Sequence, residues 1–372
     1  MQTLGIGIIG CGNISETYLR LAPLFRGIQI RSVADIDMAA ASARAKEFGT
    51  RADTVDGLLA AEDIDIVVNL TIPSAHFDVC SKALAAGKHV YSEKPFVLTL
   101  DEGLKIRKMA NDRGLRVGSA PDTFLGGAHQ AARRLIDDGT LGTVSSGTAF
   151  VMSHGMEHWH PNPDFFFLPG AGPVLDLGPY YIANLVQLIG PIRRVAALAA
   201  TPSPTRTILS EPRRGETIPV ETPTTIHGLL EFCSGAAVTL VASWDVWDHG
   251  HSPMELYGSE GTLYLPDPNF FGGDLKMTTA QGDAKDLASS DHPFGVVNDG
   301  DQANYRTAGL ADMAQAIRNN HPHRCSMDLA LHGVEVMTGL LQSGETGQFV
   351  TMTTTCDRPA ALGPADARAL LA

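Results

Sequence analysis

The sequence predicts an α/β protein: an N-terminal Rossmann unit with a doubly wound parallel sheet, then an α+β unit on a large, mostly antiparallel sheet. Three observations carry this. Short apolar runs alternate with helical patterns through the first 120 residues, and a Gly-x-Gly-x-x-Ser turn follows the first run at once. Beyond Ala120 strands succeed one another without intervening helices, the mark of antiparallel pairing. At 372 residues the chain exceeds what one core usually supports, so two domains are expected, over 1–122 and 123–372.

In the first unit the expected strands are Leu4–Ile9, Ile28–Ala34, 64–70, 89–91 and 115–119, with a further short one near 50–52. The helices between them carry end signals. Asp37 reads as the N-cap of Met38–Phe48, Ser74 as the next N-cap with Gly87 just past that helix, and Thr99-x-x-Glu102 as a capping box on a helix closing at Gly114. In the second unit a helix at 127–138 precedes strands at 143–153, 226–232, 236–243, 254–257 and 262–265. Two final helices fall near 305–319 and 327–343, and the stretches 201–225 and 266–301, rich in Pro, Thr, Gly and Asp, read as long excursions.

Composition narrows the function classes. With 44% hydrophobic and 19% charged residues the chain has ample material for packed cores. Its formal charge of −13 repels polyanions, so neither nucleic acid nor a membrane surface is an expected partner. The five cysteines are odd in number, form no CxxC pair and read as reduced thiols. The chain enters a strand directly after Met1-Gln2-Thr3, without a signal-peptide pattern, and a cytoplasmic location is expected.

The turn after the first strand is Gly10-Cys11-Gly12-Asn13-Ile14-Ser15. Gly10 permits the tight bend, and Gly12 lets a pyrophosphate approach the backbone N–H groups and positive end of the helix opened by Asn13 and Ile14. Ser15 replaces the usual third small residue. Asp35, ending the second strand, is placed to accept hydrogen bonds from an adenosine ribose, and no Arg follows it directly to receive a 2′-phosphate, so NAD is favoured over NADP. Ser92-Glu93-Lys94-Pro95 stands at the carboxyl end of a strand, where open α/β sheets bind ligands; alone it would read as a solvated turn. Asp122 is a further crevice candidate.

These motifs resemble the glucose-fructose oxidoreductase / inositol dehydrogenase / rhizopine-catabolism family, Gfo/Idh/MocA, over nearly the whole chain. The likeness rests on Ile8-Ile9-Gly10-Cys11-Gly12-Asn13-Ile14, Thr71-Ile72-Pro73-Ser74-Ala75-His76, Ala86-Gly87-Lys88-His89-Val90 leading into Glu93-Lys94-Pro95, and Gly170-Ala171-Gly172-Pro173-Val174-Leu175-Asp176-Leu177-Gly178. The resemblance implies an NAD-dependent oxidoreductase acting on a CH–OH group of a sugar, polyol or glycoside, with its site between the two units. It implies that Thr71, Pro73 and His76 line the cofactor crevice, that Glu93 meets the ribose and that Lys94 lies beside the nicotinamide and the substrate hydroxyl. Asp176 matches a substrate-site aspartate. Tyr180 stands where many members carry a catalytic His, as in the glucose-fructose oxidoreductase branch. A homodimer or homotetramer through the C-terminal sheet is also implied.

Carbinol oxidation needs a group to take the hydroxyl proton, and either Tyr180 or Lys94 fits that role. A nearby Asp176 would raise the basicity of Lys94 and burial would lower it, and residue order does not rank the two. Pro179 is expected in the first helical turn, which would put Asp176 at the helix start. Outside the family context Asp176 would read as a capping carboxylate and Tyr180 as a packed aromatic. Two other functions stay open: an NAD-recycling glycosidase or epimerase working through a transient keto-sugar, and a non-catalytic NAD-binding sensor. In Ser153-His154-Gly155-Met156-Glu157-His158-Trp159-His160 the histidine spacing matches no helical zinc motif, so no metal is expected. His154 and His160 are instead substrate-binding candidates beside the ring face of Trp159, with Trp244-Asp245 and Trp247-Asp248 read in the same way.

Overall fold

The computed structural model describes residues 3–282, 284–287 and 291–372; residues 1–2, 283 and 288–290, the last two within the second excursion, lie outside the described residues. The chain opens with β1 (Leu4–Ile9), α1 (Asn13–Leu21), β2 (Ile28–Ala34), α2 (Met38–Phe48), β3 (Arg51–Asp53) and α3 (Val55–Ala60). There follow β4 (Ile66–Asn69), α4 (His76–Ala85), β5 (His89–Ser92), α5 (Leu100–Arg113) and β6 (Val117–Ser119). These six strands form one sheet in the order β3-β2-β1-β4-β5-β6, parallel throughout. Every residue of β1 and β4 is buried, as a sheet covered on both faces demands.

The caps fall largely where local chemistry puts them. Asp37 accepts from the Ala39 N–H at 2.9 Å, the Thr99/Glu102 box closes in both directions, and α5 ends on Gly114 at φ 63°. Ser74 departs from expectation. Pro73, suited to the first position of a turn, opens a short 3-10 turn over Pro73–Ala75, so Ser74 falls inside it and α4 begins only at His76.

The second half runs α6 (Gly127–Asp137), β7 (Val144–Met152), α7 (Pro173–Ile189), β8 (Ile192–Ala200), β9 (Thr205–Thr207), β10 (Thr217–Pro219), β11 (Thr225–Phe232) and β12 (Ala237–Ser243). It continues through β13 (Met254–Gly258), β14 (Gly261–Leu265), β15 (Lys276–Thr279), β16 (Ala284–Asp286), α8 (Ala308–Asn319), α9 (Met327–Thr346), β17 (Val350–Thr351) and α10 (Pro364–Leu370). Its nine-stranded sheet has the order β16-β15-β14-β13-β7-β12-β11-β8-β17, with β7 and β12 parallel and the other neighbours antiparallel. The excursions are structured in part: β9 and β10 pair in the first, and β15 and β16 extend the sheet from the second.

β8 is the longest strand the pattern misses. Its sequence IRRVAALAA lacks apolar–polar alternation and is rich in alanine, a poor strand former, yet it pairs with β11 along its length. Packing supplies the missing preference. α9 lies against β8, where the Ser343 hydroxyl accepts the Ala197 N–H at 2.8 Å, and Gly344 has no room for a side chain against Ala199. α7 crosses the same face, its Tyr181 hydroxyl donating to the Phe150 carbonyl at 3.2 Å. The chain then returns to the first sheet: Ser119 N–H donates to the Cys325 carbonyl at 3.1 Å, and Arg26 N–H to that of Leu370 at 2.8 Å. One contiguous apolar core joins residues of both sheets. Among the described residues no helix is long and apolar enough to cross a membrane.

Candidate active site

β1 delivers the chain into a turn that requires glycine. Gly10 has φ 104°, and a Cβ there would stand 2.6 Å from the Leu70 backbone. Gly12 caps α1 with no side-chain hydrogen bond, and a Cβ on it would meet nothing within 4 Å, so the helix start faces open space. The first-turn N–H groups of Asn13 and Ile14 have no partner one turn back. Ser15 is buried and its hydroxyl donates to the Gly12 carbonyl at 2.6 Å, packing the helix onto the strand as the third small residue should. Asp35 is tied to the same turn, accepting the Cys11 N–H at 2.7 Å and the Asp37 N–H at 2.9 Å.

An arginine does reach this turn, though not one adjacent to Asp35 in sequence. Arg44, two turns into α2, donates to the Ser15 hydroxyl at 3.1 Å and pairs with Glu47 at 2.7 Å. The argument from the residues directly following Asp35 missed it because helix α2 folds back over the loop.

After β4 the Asn69 side chain accepts the Thr71 N–H at 3.2 Å and hydroxyl at 2.7 Å, fixing the loop that carries Thr71 and Pro73 at the rim. His76 lies deeper. It is fully buried, with Nδ1 2.7 Å from the Pro95 carbonyl and Nε2 3.0 Å from that of Thr71. Burial lowers its basicity more than the two carbonyls raise it. The ring thus bridges two loops and does not face the crevice.

Lys94 leaves the carboxyl end of β5 and meets α7. Its Nζ donates at 2.7 Å both to Asp176 Oδ1 and to the Asp176 carbonyl, and lies 5.3 Å from the centroid of the Tyr180 ring. Burial disfavours the ammonium, but Asp176, Tyr180 and Glu93 outweigh it and raise the Lys94 pKa above the ordinary lysine value. This ranks the two effects left open by residue order. α7 begins earlier than expected: Pro173 occupies the first position and Gly172 the cap, which puts Asp176 within the first turn and Pro179 in the helix interior. There Pro179 withholds the N–H that would bond one turn back to Leu175.

Glu93 turns inward. Its Oε1 accepts from the Tyr18 hydroxyl and Arg306 Nη1, each at 3.0 Å, and its Oε2 from the Lys94 N–H at 2.9 Å. Burial would raise its pKa, but Arg306 and Lys94 prevail and hold it low. Asp122 is buried too, its Oδ2 accepting the Thr307 and Gly309 N–H groups at 3.0 and 3.1 Å. Tyr18 and Arg306 carried no motif, and their place here was invisible in the sequence.

The histidine-rich loop lies between β7 and α7. His154 stacks on Trp247 with centroids 3.3 Å apart, and His160 makes edge contacts with Trp159, Phe165 and Phe166. Glu157 is the buried partner of Arg206 at 3.1 Å, and Arg206 also pairs with Asp245. Among the described residues no group of His, Cys, Asp and Glu is arranged to hold a metal ion.

Comparison with known proteins bears on this geometry directly. An oxidoreductase family with an NAD-binding Rossmann fold matches residues 4–120, and the GFO/IDH/MocA C-terminal domain matches residues 129–264. The chain belongs to the Gfo/Idh/MocA oxidoreductase family. Inositol 2-dehydrogenase of Rhizobium meliloti (strain 1021) is 30% identical over 147 residues, 40% of this chain and less than half, 44%, of that enzyme. Levoglucosan dehydrogenase of Pseudarthrobacter phenanthrenivorans is 25% identical over 292 residues, 71% of this chain and 73% of that enzyme. Among solved structures, an NAD binding oxidoreductase from Klebsiella pneumoniae superposes with a TM-score of 0.81 at 23% identity, covering 95% of this chain and 100% of that one. The Gfo/Idh/MocA fold thus extends across both sheets, with the glycine turn and Lys94 on its N-terminal, NAD-binding part and Asp176 and Tyr180 on its C-terminal part.

Proposed function

We propose that this Gfo/Idh/MocA protein moves a hydride between NAD and a carbinol carbon of a sugar, polyol or glycoside. The observation that carries the reading is the Lys94–Asp176–Tyr180 cluster, at the same carboxyl edge of the parallel sheet as the glycine turn and Asp35. The open helix start beyond Gly12 and the carboxylate at the end of β2 fit a dinucleotide, and Asp35 favours NAD by repelling a 2′-phosphate. Thr71 and Pro73 rim the crevice, while His76 and Glu93 support it from behind. When bound, the nicotinamide supplies the hydride acceptor or donor.

The residues of the chain do the rest. Asp176 holds Lys94 in place and charged, and an ammonium donates to the substrate oxygen but cannot accept a proton. In this reading Tyr180 is the proton carrier. In the oxidative direction the hydroxyl proton passes to its phenolate oxygen, the C–H pair leaves as hydride, and the carbinol becomes a carbonyl. His154 and His160, with the exposed ring of Trp159, offer hydrogen bonds and an apolar face to a polyhydroxylated substrate. Relatives named for inositol and levoglucosan support that class.

In this reading residues 1–122 serve the cofactor and 123–372 the substrate and assembly. The sheet face away from α7 and α9 exposes Leu198 (74%) and Leu229 (54%), and a homo-oligomer formed through it would bury them. Light scattering should give a mass above the monomer that Leu198→Glu with Leu229→Glu lowers. The functional test is NADH absorbance with myo-inositol, levoglucosan and D-xylose, using NAD and NADP separately. Turnover with NAD is expected, and Lys94→Ala should reduce it by about 10²–10⁴-fold. Wild-type turnover in that variant would remove Lys94 from the mechanism.

A further inference from the structure

The chain is poor in aromatic residues, at 6%, yet its three tryptophans, Trp159, Trp244 and Trp247, all fall in the two segments that follow β7 and β12. Those strands are parallel neighbours, so both segments leave the sheet at the same end, and the Val246 N–H joins them by donating to the Ser153 carbonyl at 3.0 Å. Beneath them lies a small core of their own, where Met156, Phe167 and Trp244 cluster with Ile208 and Ile218 from the β9–β10 pair. Arg206, on β9, ties the segments together: it donates to Glu157 and to the Trp244 carbonyl, each at 3.1 Å, and pairs with Asp245. On this base Trp247 is 80% exposed, and His154 stacks on it with ring centroids 3.3 Å and planes 15° apart. One face of the indole is thus covered by the imidazole and the other is open. An open indole face in water is unfavourable, and a ring already held in place loses little further freedom when a ligand covers it.

We propose that the open face of Trp247, backed by His154, is a sugar subsite that takes a pyranose ring of a glycoside other than the ring that is oxidised. A pyranose presents a face of C–H groups, whose slightly positive hydrogens suit the negative face of an indole, and a rim of hydroxyls. Polar groups without bonds of their own stand beside the platform: among the described residues His154 Nδ1 and Glu157 Oε2 are buried without a hydrogen-bond partner, and a Cβ on Gly155 between them would lie 2.2 Å from that oxygen. Two carboxylates share the one guanidinium of Arg206, which disfavours an anionic ligand and suits a neutral, polyhydroxylated one. The lobe also runs straight into the chemistry. The Phe166 carbonyl accepts the Gly172 N–H at 3.1 Å, the Gly172 carbonyl accepts the Asp176 N–H at 3.0 Å, and Asp176 holds Lys94. A substrate that meets both Trp247 and Lys94 has at least two rings. The inference rests on the carbinol-oxidation reading and narrows its substrate from a free polyol to a glycoside, whose unreactive ring supplies binding energy that orients the reacting one.

Because all three tryptophans belong to this lobe, intrinsic fluorescence reports on it without any turnover. In the NAD-saturated protein, tryptophan emission is followed during titration with cellobiose, maltose and trehalose, with D-glucose and myo-inositol as single-ring controls. At least one disaccharide should change the emission saturably and bind about tenfold or more tighter than either control, and Trp247→Ala should remove most of that advantage. His154→Ala, which uncovers the second indole face and frees the ring, should weaken the same disaccharide by about threefold or more. Where NADH forms, kcat/KM for the disaccharide should fall about tenfold in Trp247→Ala, while that for a single-ring substrate changes by less than about threefold. Disaccharides that bind no tighter than D-glucose, or that bind Trp247→Ala as well as wild type, would overturn the proposal. So would a lower mass of Trp247→Ala in light scattering, which would show a second copy of the chain to be what covers the indole. Failure of wild type to reduce NAD with any of these sugars would count against the dehydrogenase reading while leaving the fluorescence titration to judge Trp247.

Discussion

Replacing Asp122 by Asn removes one charge from a fully buried site while keeping an acceptor for the Thr307 and Gly309 N–H groups. Its second oxygen, Oδ1, is buried without a partner, and burial pushes the carboxyl up to about 6 against the opposing pull of Arg306 and the two N–H groups. The folded-state value thus lies above the ordinary carboxyl value of 3.8. Stability from this group is complete below that ordinary value and is lost as pH rises through about 6. A gap of about two units corresponds to about 3 kcal/mol. Asn carries no such dependence, so the variant should gain on wild type by about 3 kcal/mol between about pH 4 and pH 7.5. With an unfolding entropy of about 2.1 cal/mol/K per residue over the chain, this is about 4 °C in Tm. Thermal melts of both proteins across that range, followed by circular dichroism, measure the difference directly. A Tm difference that stayed flat with pH would refute the reasoning.

Two further outcomes follow from the same geometry. Asp35→Ser should cut a preference for NADH over NADPH of about tenfold or more to within about threefold, because the carboxylate that repels a 2′-phosphate is gone; fluorescence titration with each cofactor checks this. Arg206→Met leaves Glu157 and Asp245 without their shared cation beneath the histidine-rich loop, and should cost about 3–5 kcal/mol in denaturant unfolding, whereas an unchanged midpoint would show those carboxylates to be solvated.

Features written in local backbone chemistry were legible in residue order. The glycine turn needs a positive φ at Gly10, the Asp37 and Thr99 caps need short polar side chains, and the fully buried β1 needs a run without polar side chains. Each is a demand that neighbouring residues place on one another within a few positions, and each appears where the pattern puts it. Local rules failed where two candidate starts lay close together in sequence. Pro73 pre-empted Ser74 as the start of a helix, and Pro173 did the same to Pro179. β8 escaped because its strand character comes from α9 and β11, partners distant in sequence.

The sequence by itself determined the fold class, the dinucleotide turn and, through family resemblance, Lys94, Asp176 and Tyr180 as candidates. Only the tertiary structure decided their electrostatics. Whether Lys94 is an acid or a base depends on a carboxylate 82 positions away at 2.7 Å, and on the competition between that charge and burial. Arg306, 213 positions beyond Glu93, reaches the site only through the turn held by Asp122. Coulombic and desolvation energies depend on distance in space and on exposure to water, and neither is a property of a residue's place along the chain.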